Sequence, residues 1–357
     1  MKVPRLFPGQ AKAGPDAGKG KGGRRTINLA LQGGGAHGAF TWGVIDALLE
    51  DGRLAFDGIS GTSAGAMNAV VLADGLVRGG DEAARERLAA FWTGVSRAST
   101  IGGARDLLQS WMSFWNVPAF RPTQWLDMMS NLTSPYGFNP HNINPLRDLV
   151  ESLVDFERVR AAASPKLFIS ATNVRNGKIK VFTDGEVTAD AVMASACLPY
   201  LFQTVVVDGE PYWDGGFMGN PALFPFFTET KAEDILLVQI NPIERNDVPT
   251  GTKEILERMS EITFNASLLR EFRAIDFVNR MLDEGRLDPK RYRRNRVHRI
   301  DGGKALERFS ASTKFDTSPA FFEQLRDAGR EAGREWLDAH FADVGVTGTV
   351  DLRAQFA

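Results

Sequence analysis

Two glycine-rich segments near the start of the chain have the residue types of an ester-cleaving site. The first is Gly33-Gly34-Gly35-Ala36-His37-Gly38, which follows an apolar run and precedes a helical pattern. The second is Gly61-Thr62-Ser63-Ala64-Gly65, a G-x-S-x-G sequence in the same context. Glycines on both sides of Ser63 allow a tight strand-to-helix turn that exposes the hydroxyl at the positive end of a helix. We therefore expect Ser63 to act as a nucleophile.

The first glycine run fits the other half of such a site, an oxyanion hole. Backbone N–H groups at a strand-to-helix turn can reach a ligand when no Cβ covers them, and Gly34 and Gly35 are the expected donors. The run also satisfies the dinucleotide fingerprint G-x-G-x-x-G. Acidic residues near the spacing expected for ribose binding are Glu50, Asp51 and Asp57. A dinucleotide site has no use for a serine turn after the next strand, so the oxyanion hole is favoured.

A third element, Tyr212-Trp213-Asp214-Gly215-Gly216, follows a strand-like run at 203–207 and the hairpin-turn pair Asp208-Gly209. By itself an Asp-Gly-Gly sequence indicates only a turn. Beside the other two motifs, Asp214 becomes a candidate base that could take the proton of Ser63. Partial burial beside Tyr212 and Trp213 would raise the pKa of its carboxyl and strengthen that base.

In this order and context, the three motifs resemble those of the patatin-like phospholipases over roughly residues 26–245. The resemblance implies a three-layer α/β/α fold and a Ser-Asp dyad without a catalytic histidine. It matches Ser63 to the nucleophile, Asp214 to the base, and Gly33, Gly34, Gly35 and Gly38 to the oxyanion loop. It implies a serine lipid acyl hydrolase of the phospholipase A, lysophospholipase or esterase type, acting on carboxylic esters through an acyl-Ser63 intermediate without a cofactor or metal.

Several alternatives remain open on the sequence alone. The family often has Arg or Lys where this chain has His37, which is as well explained by packing as by catalysis. Ser63, Asp214 and His298 have the chain order of an α/β-hydrolase triad, although the basic stretch around His298 indicates an exposed strand or loop. Acyl transfer would use the same dyad. A non-catalytic protein could instead bind a nucleotide or lipid at the Gly33–Gly38 loop.

The pattern of apolar runs predicts a mostly parallel sheet covered by helices on both faces. Strands are expected near 26–31, 56–60, 166–173, 178–182, 203–207 and 234–240. Helices are expected near 38–50, 64–77, 82–96, 187–196 and, in the C-terminal part, 252–282 and 319–341. The expected fold class is therefore α/β, a three-layer α/β/α fold with a mostly parallel central sheet and a helical C-terminal extension.

The chain divides into a flexible basic arm at 1–25, a catalytic domain at 26–245 and a mostly helical extension at 246–357 packed on that domain. Within the catalytic domain, 101–138 is rich in aromatic residues and methionine, which favours core packing, with a lid or acyl-channel wall as the alternative. The arm could tether the protein weakly to an anionic membrane, and the basic run 290–296 could meet headgroups.

Composition limits the function classes further. The 357 residues carry a net charge of −2, which predicts no general attraction to nucleic acid. The single cysteine, Cys197, excludes an intramolecular disulfide and is expected to be buried at a helix end. No signal peptide or spanning segment is recognised, so we expect a cytoplasmic protein with peripheral membrane contact at most. The expected partner is a phospholipid or other lipid ester, and the oligomeric state is open.

Overall fold

The computed structural model describes residues 23–98, 134–199, 202–245, 247–303, 306 and 318–356. Two segments singled out by the sequence fall mainly outside these residues. Of the basic arm only 23–25 are described, and of the aromatic-rich segment 101–138 only 134–138. The expectations for the remainder of both segments therefore stay predictions.

The described strands form one mixed sheet in the order β5-β6-β3-β2-β1-β7-β8, with β4 paired to β3 off this row. Their bounds are β1 Arg25–Leu31, β2 Leu54–Gly61, β3 Lys166–Asn173, β4 Ile179–Thr183, β5 Val205–Val207, β6 Glu210–Asp214, β7 Asp234–Gln239 and β8 Arg296–Asp301. The neighbouring strands β3, β2, β1, β7 and β8 pair in parallel, whereas β4 and β6 are antiparallel to β3. The predicted mostly parallel sheet is confirmed.

The described helices lie between these strands and at the C-terminal end. Their bounds are α1 Gly38–Asp51, α2 Ala64–Ala98, α3 Pro135–Phe138, α4 Pro145–Leu153, α5 Phe156–Ala161, α6 Ala189–Ser195, α7 Phe226–Glu229, α8 Thr252–Asp283 and α9 Pro319–His340. Helix α2 contains non-helical backbone at Gly79 and Gly80, which agrees with the two helices predicted on either side of 78–81. None of the helices in the described ranges is long and apolar enough to cross a membrane.

Alternate residues of β1 point into two different cores, because side chains along a strand alternate between the faces of a sheet. Leu29 and Leu31 join the first core, which contains residues of α1, α2 and α9. Ala30 joins the second core with Leu268 and Phe272 of α8. Helices therefore cover both faces of the sheet, and the predicted three-layer α/β/α fold is confirmed.

The structure corrects the interpretation of the segment around His298. This segment is not an exposed strand or loop, because it forms β8, which pairs with β7 through His298↔Leu236. The His298 side chain is completely buried. The basic residues that suggested exposure keep their charged ends in polar surroundings: Arg296 pairs with Asp234 and Glu233. The arginine content of this strand therefore does not predict that the strand is exposed.

The apolar residues of 252–282 predict a helix with one wide apolar side that packs on the rest of the protein, and the structure corrects this expectation. Leu268, Phe272 and Ile275 of α8 are buried as expected. Other members of the expected apolar side are exposed: Ile255, Met259, Ile262 and Phe277. The sequence pattern merged two faces of one helix, because apolar residues are present all around it.

Candidate active site

Ser63 lies in a strained turn between β2 and α2. Its φ angle is +55°, a left-handed conformation that costs energy for any residue other than glycine. A Cβ on Gly61 would lie 2.5 Å from the Gly65 carbonyl oxygen, and one on Gly65 would lie 2.2 Å from the Leu31 carbonyl oxygen. Both positions therefore require glycine, because the neighbouring backbone lies too close to leave room for a Cβ. This is the geometry that the G-x-S-x-G sequence predicts.

A second serine helps to hold this turn. The amide N–H of Ser63 donates to the Oγ atom of Ser195, at the end of α6, over 2.9 Å. Ser195 is fully buried, and Ser63 is 9% exposed. The backbone of the turn is therefore fixed by a neighbouring helix while the Ser63 side chain retains a small accessible area.

Strand β3 explains how Asp214 comes to lie beside this turn. On one edge β3 pairs with β4, including at Ala171. On its other edge it pairs with β2 as far as Ile169↔Gly61. A strand has only two hydrogen-bonding edges, and β4 occupies one of them. The strand β6, which pairs through Ala171↔Asp214, therefore lies on the same edge of β3 as β2, beyond the point where β2 ends. The ends of β6 and β2 therefore meet.

The Asp214 carboxylate is buried and accepts two hydrogen bonds. It is 2% exposed, and its Oδ1 atom accepts the Gly216 N–H at 2.6 Å. It also accepts a hydrogen bond from the Ser63 side chain. Burial raises the pKa of the Asp214 carboxyl to about 7, and the two hydrogen bonds oppose that rise only in part. The sequence-predicted nucleophile and base are thus in direct contact, with a carboxyl poised near neutral pH.

The glycine loop after β1 packs directly on the serine turn. A Cβ on Gly33 would lie 2.7 Å from the Thr62 carbonyl oxygen and 2.9 Å from the Ser63 Cβ. A Cβ on Gly38 would lie 2.8 Å from the Ala64 Cβ. Side chains at these two positions would push the loop away from Ser63, so the glycines permit close contact between the loop and the turn.

The N–H groups of the four loop glycines have different partners. Gly33 donates to the Asn220 Oδ1 atom at 2.7 Å, and Gly38 donates back to carbonyls within its own turn. For the N–H groups of Gly34 and Gly35, the described part of the chain supplies no acceptor. The two expected oxyanion donors are therefore the two loop glycines whose N–H groups remain open to a ligand.

A group of buried amide side chains, which no sequence motif indicated, fixes the backbone of the loop at Gly33. Asn220 binds the Gly33 N–H, and Asn241 Nδ2 donates to the Gly33 carbonyl at 2.7 Å. Gln32 Oε1 accepts the backbone N–H groups of Ile240 and Asn241 at 3.0 and 2.9 Å. Both hydrogen-bonding groups of Gly33 are thus fixed. Single asparagines far apart in the sequence give no periodic or motif signal, so only the folded chain reveals this group.

The four histidines lie in different surroundings. His37 is buried and its ring packs against Phe321 of α9 at 6.2 Å. His298 Nε2 lies 3.1 Å from Asp234 Oδ1, at the start of β7. His340 pairs with Asp343, and His141 is exposed. Parallel strands end at the same edge of a sheet, and Asp234 lies at the edge opposite that of Ser63. The partner of His298 is therefore remote from the serine turn.

Within the residues that the structure describes, no group of three or more His, Cys, Asp or Glu side chains is arranged to hold a metal ion. Cys197 is buried at the end of α6, as expected, and its carbonyl accepts the Asp214 N–H at 2.8 Å.

Two comparisons relate this arrangement to known proteins. The family Patatin, described as patatin-like phospholipase, matches residues 29–227, more than half of the chain. No curated protein matches the chain. Among solved structures, the crystal structure of VipD from Legionella pneumophila is similar, with 16% sequence identity and a TM-score of 0.47. That similarity covers 94% of this chain and 72% of that one.

Proposed function

The chain belongs to the patatin-like phospholipase family, and on that basis we propose that it is a serine lipid acyl hydrolase with a Ser63–Asp214 dyad. Members of this family act on lipid esters. The observation that carries the proposal is the hydrogen bond from the strained Ser63 side chain to the buried Asp214 carboxylate. The proposed substrate is a carboxylic ester of a phospholipid or related lipid.

In the proposed reaction, Asp214 accepts the Ser63 proton as the Oγ atom attacks the ester carbonyl carbon. The carbonyl oxygen becomes an oxyanion, which the N–H groups of Gly34 and Gly35 stabilise. The intermediate then collapses, the bond to the alcohol breaks, and protonated Asp214 returns the proton to the leaving oxygen. Water, deprotonated by Asp214, next attacks the acyl-Ser63 ester. The bond to the Ser63 Oγ atom then breaks, protonated Asp214 returns the proton to that atom, and the carboxylic acid leaves.

The raised pKa makes Asp214 suited to this role. A carboxylate with an ordinary pKa is a weak base at neutral pH, whereas one with a pKa of about 7 has a far stronger affinity for the Ser63 proton. Above pH 7 it is still mainly ionised and can act as a base. Burial therefore supplies the basicity that a histidine supplies in a Ser-His-Asp triad.

Two alternatives use the same residues differently. An acyltransferase would share every step up to acyl-Ser63 and pass the acyl group to an alcohol or amine instead of water. A nucleotide-binding protein would need the loop N–H groups for phosphate. The Gly33 and Gly38 N–H groups are already engaged within the protein, which counts against the second alternative.

The proposal is tested by labelling with a fluorophosphonate serine probe and by hydrolysis of phospholipid vesicles and soluble short-chain esters. Ser63→Ala should abolish both, while the matched Ser152→Ala, on an exposed residue of α4, should leave both unchanged. Asp214→Asn should slow both by roughly 10²- to 10⁴-fold.

The same measurements separate the alternatives. Loss of labelling in folded His298→Asn protein would show that the site works as a Ser-His-Asp triad and not as a Ser-Asp dyad. Acyl products formed faster with an added alcohol acceptor than with water would make the protein an acyltransferase. Thermal stabilisation by dinucleotides that Ser63→Ala leaves unchanged, without probe labelling, would reject the hydrolase.

A further inference from the structure

The outer face of α8, defined here by Ile255, Met259, Ile262, Arg270, Arg273 and Phe277, is unusual for a helix of a folded domain. These residues recur at helical spacing on one side, opposite the buried Leu268 and Phe272. Its apolar members are 41 to 58% exposed. The N-terminal half of this face is thus apolar, and its C-terminal half combines arginine with an exposed aromatic ring.

A cavity of about 520 Å³ lies beside the C-terminal half of this face. Its charged lining comprises four arginines and one aspartate: Arg270, Arg273, Arg280, Arg353 and Asp276. Asp276 pairs with Arg280 at 3.0 Å. Across the described ranges, no carboxylate forms an ion pair with any of the other three arginines. The cavity therefore holds an uncompensated positive charge in a chain whose net charge is −2.

Aromatic rings accompany these charges. The Arg273 guanidinium lies 5.3 Å from the centre of the Phe356 ring, and Phe277 lines the same cavity. Arginine with aromatic and aliphatic side chains on one exposed surface is the composition of helices that lie in the membrane interface. The apolar groups enter the headgroup and acyl boundary, while arginines contact phosphates.

From this composition we propose that the outer face of α8 is a docking surface for a membrane containing anionic phospholipid. The apolar half enters the interface, and the arginine cavity receives headgroup phosphates. The run 290–296 is not part of this surface.

The opposite side of the same helix connects this surface to the candidate active site. A Cβ on Gly216, two residues after Asp214, would lie 3.0 Å from the Phe264 ring. Ser267 Oγ accepts the Asn220 N–H, and Glu271 accepts the Leu223 N–H at 2.7 Å. Helix α8 therefore holds the segment that follows the base.

Vesicle co-sedimentation of the full chain tests this docking independently of Ser63 chemistry, provided that the vesicles consist of ether-linked lipids that no ester hydrolase can cleave. The wild type should bind diether phosphatidylcholine vesicles containing diether phosphatidylglycerol and lose binding as salt increases. Arg270→Gln with Arg273→Gln should lower the partition coefficient about 30-fold, or about fivefold per arginine. Met259→Ser with Ile262→Ser should lower it through lost apolar contact.

A matched control removes two positive charges elsewhere. Lys290→Gln with Arg291→Gln, both exposed, should change binding by less than about twofold. Equal binding to vesicles with and without phosphatidylglycerol would overturn the proposal, as would an arginine variant that binds like the wild type. A dimer that the Met259 and Ile262 substitutions dissociate would assign this face to a second copy instead. Docking without hydrolysis of ester lipids would reject only the proposed function.

Discussion

The side chain of Ser63 donates a hydrogen bond to the Asp214 carboxylate. The two residues meet where β2 ends and β6 becomes the neighbour of β3 on the same edge. The serine is strained, with a φ angle of +55°, and the carboxylate is buried. Each of these features costs folding free energy, and together they place the proposed nucleophile in contact with the proposed base.

The pH dependence of the reaction should follow the Asp214 carboxyl. Only the ionised carboxylate can accept the Ser63 proton, so kcat/KM should rise with pH and level off above an apparent pKa of about 7. Initial rates on a soluble short-chain ester measure this without a membrane. Glu271 is a necessary control because burial also raises its pKa to about 7. The Glu271→Gln variant should show the same rise of kcat/KM with pH. If that rise disappears in the variant, the titrating group is Glu271 and not Asp214.

Asp214→Asn should be more stable than the wild type above pH 7 while losing activity. The folded pKa of Asp214 is raised, so its stabilising contribution is complete below the unfolded value of 3.8 and is lost as pH rises through 7. The asparagine does not titrate. The gain in the free energy of unfolding should reach at most about 4 kcal/mol, the equivalent of three pKa units. Urea unfolding at several pH values measures it, and a gain that does not grow with pH would contradict burial as the cause.

Gly33→Ala should lower kcat by roughly 100-fold or more, because a Cβ at this position would meet the Thr62 carbonyl and Ser63 itself. Gly185→Ala is the matched control, since no atom lies within 4 Å of a Cβ at that position. Probe labelling and ester hydrolysis should be lost in the first variant and retained in the second. Full activity in folded Gly33→Ala protein would show that the loop can move away from Ser63 without harm.

Asn220→Ala should act on kcat more than on KM. Its side chain accepts the Gly33 N–H and so positions the proposed oxyanion loop, and its loss would misplace the proposed donors Gly34 and Gly35 by small distances. We expect a fall in kcat of roughly 10- to 100-fold, less than the loss of a direct oxyanion donor can cost. The exposed Asn176→Ala is the control. An unchanged kcat in folded Asn220→Ala protein would assign the residue a purely structural role.

The sequence predicted the elements around the site well where local chemistry decides the conformation. The pair Asp208-Gly209 forms the expected hairpin turn, and both residues have positive φ angles. The turn at Ser63 is as tight as expected, since a Cβ on Gly61 or Gly65 would collide with neighbouring backbone atoms. The bounds of α1, α6, α8 and α9 were predicted within a few residues because proline, glycine and capping residues stop helices locally. The shorter helices α3, α4, α5 and α7 were not predicted.

The sequence was less informative where burial depends on distant partners. The basic residues around His298 indicated an exposed segment, but Arg296 pairs with Asp234 and Glu233, and Val297, His298 and Ile300 of the same strand are buried. The apolar residues of α8 indicated one packed side, whereas the structure divides them between a core and an exposed face. A residue's type limits its environment, but the partner that satisfies it comes from elsewhere in the chain.

By itself, the sequence determined the residue types of the site: a serine in a turn that only flanking glycines permit, a glycine loop and an Asp-Gly-Gly segment, together with the α/β/α fold that the family shares. Only the tertiary structure decided that Asp214 meets Ser63, that its pKa is raised to about 7, and that Asn220 and Asn241 hold Gly33. The physical reason is that turn geometry depends on neighbouring residues, whereas burial and hydrogen bonding depend on which strands and helices lie side by side.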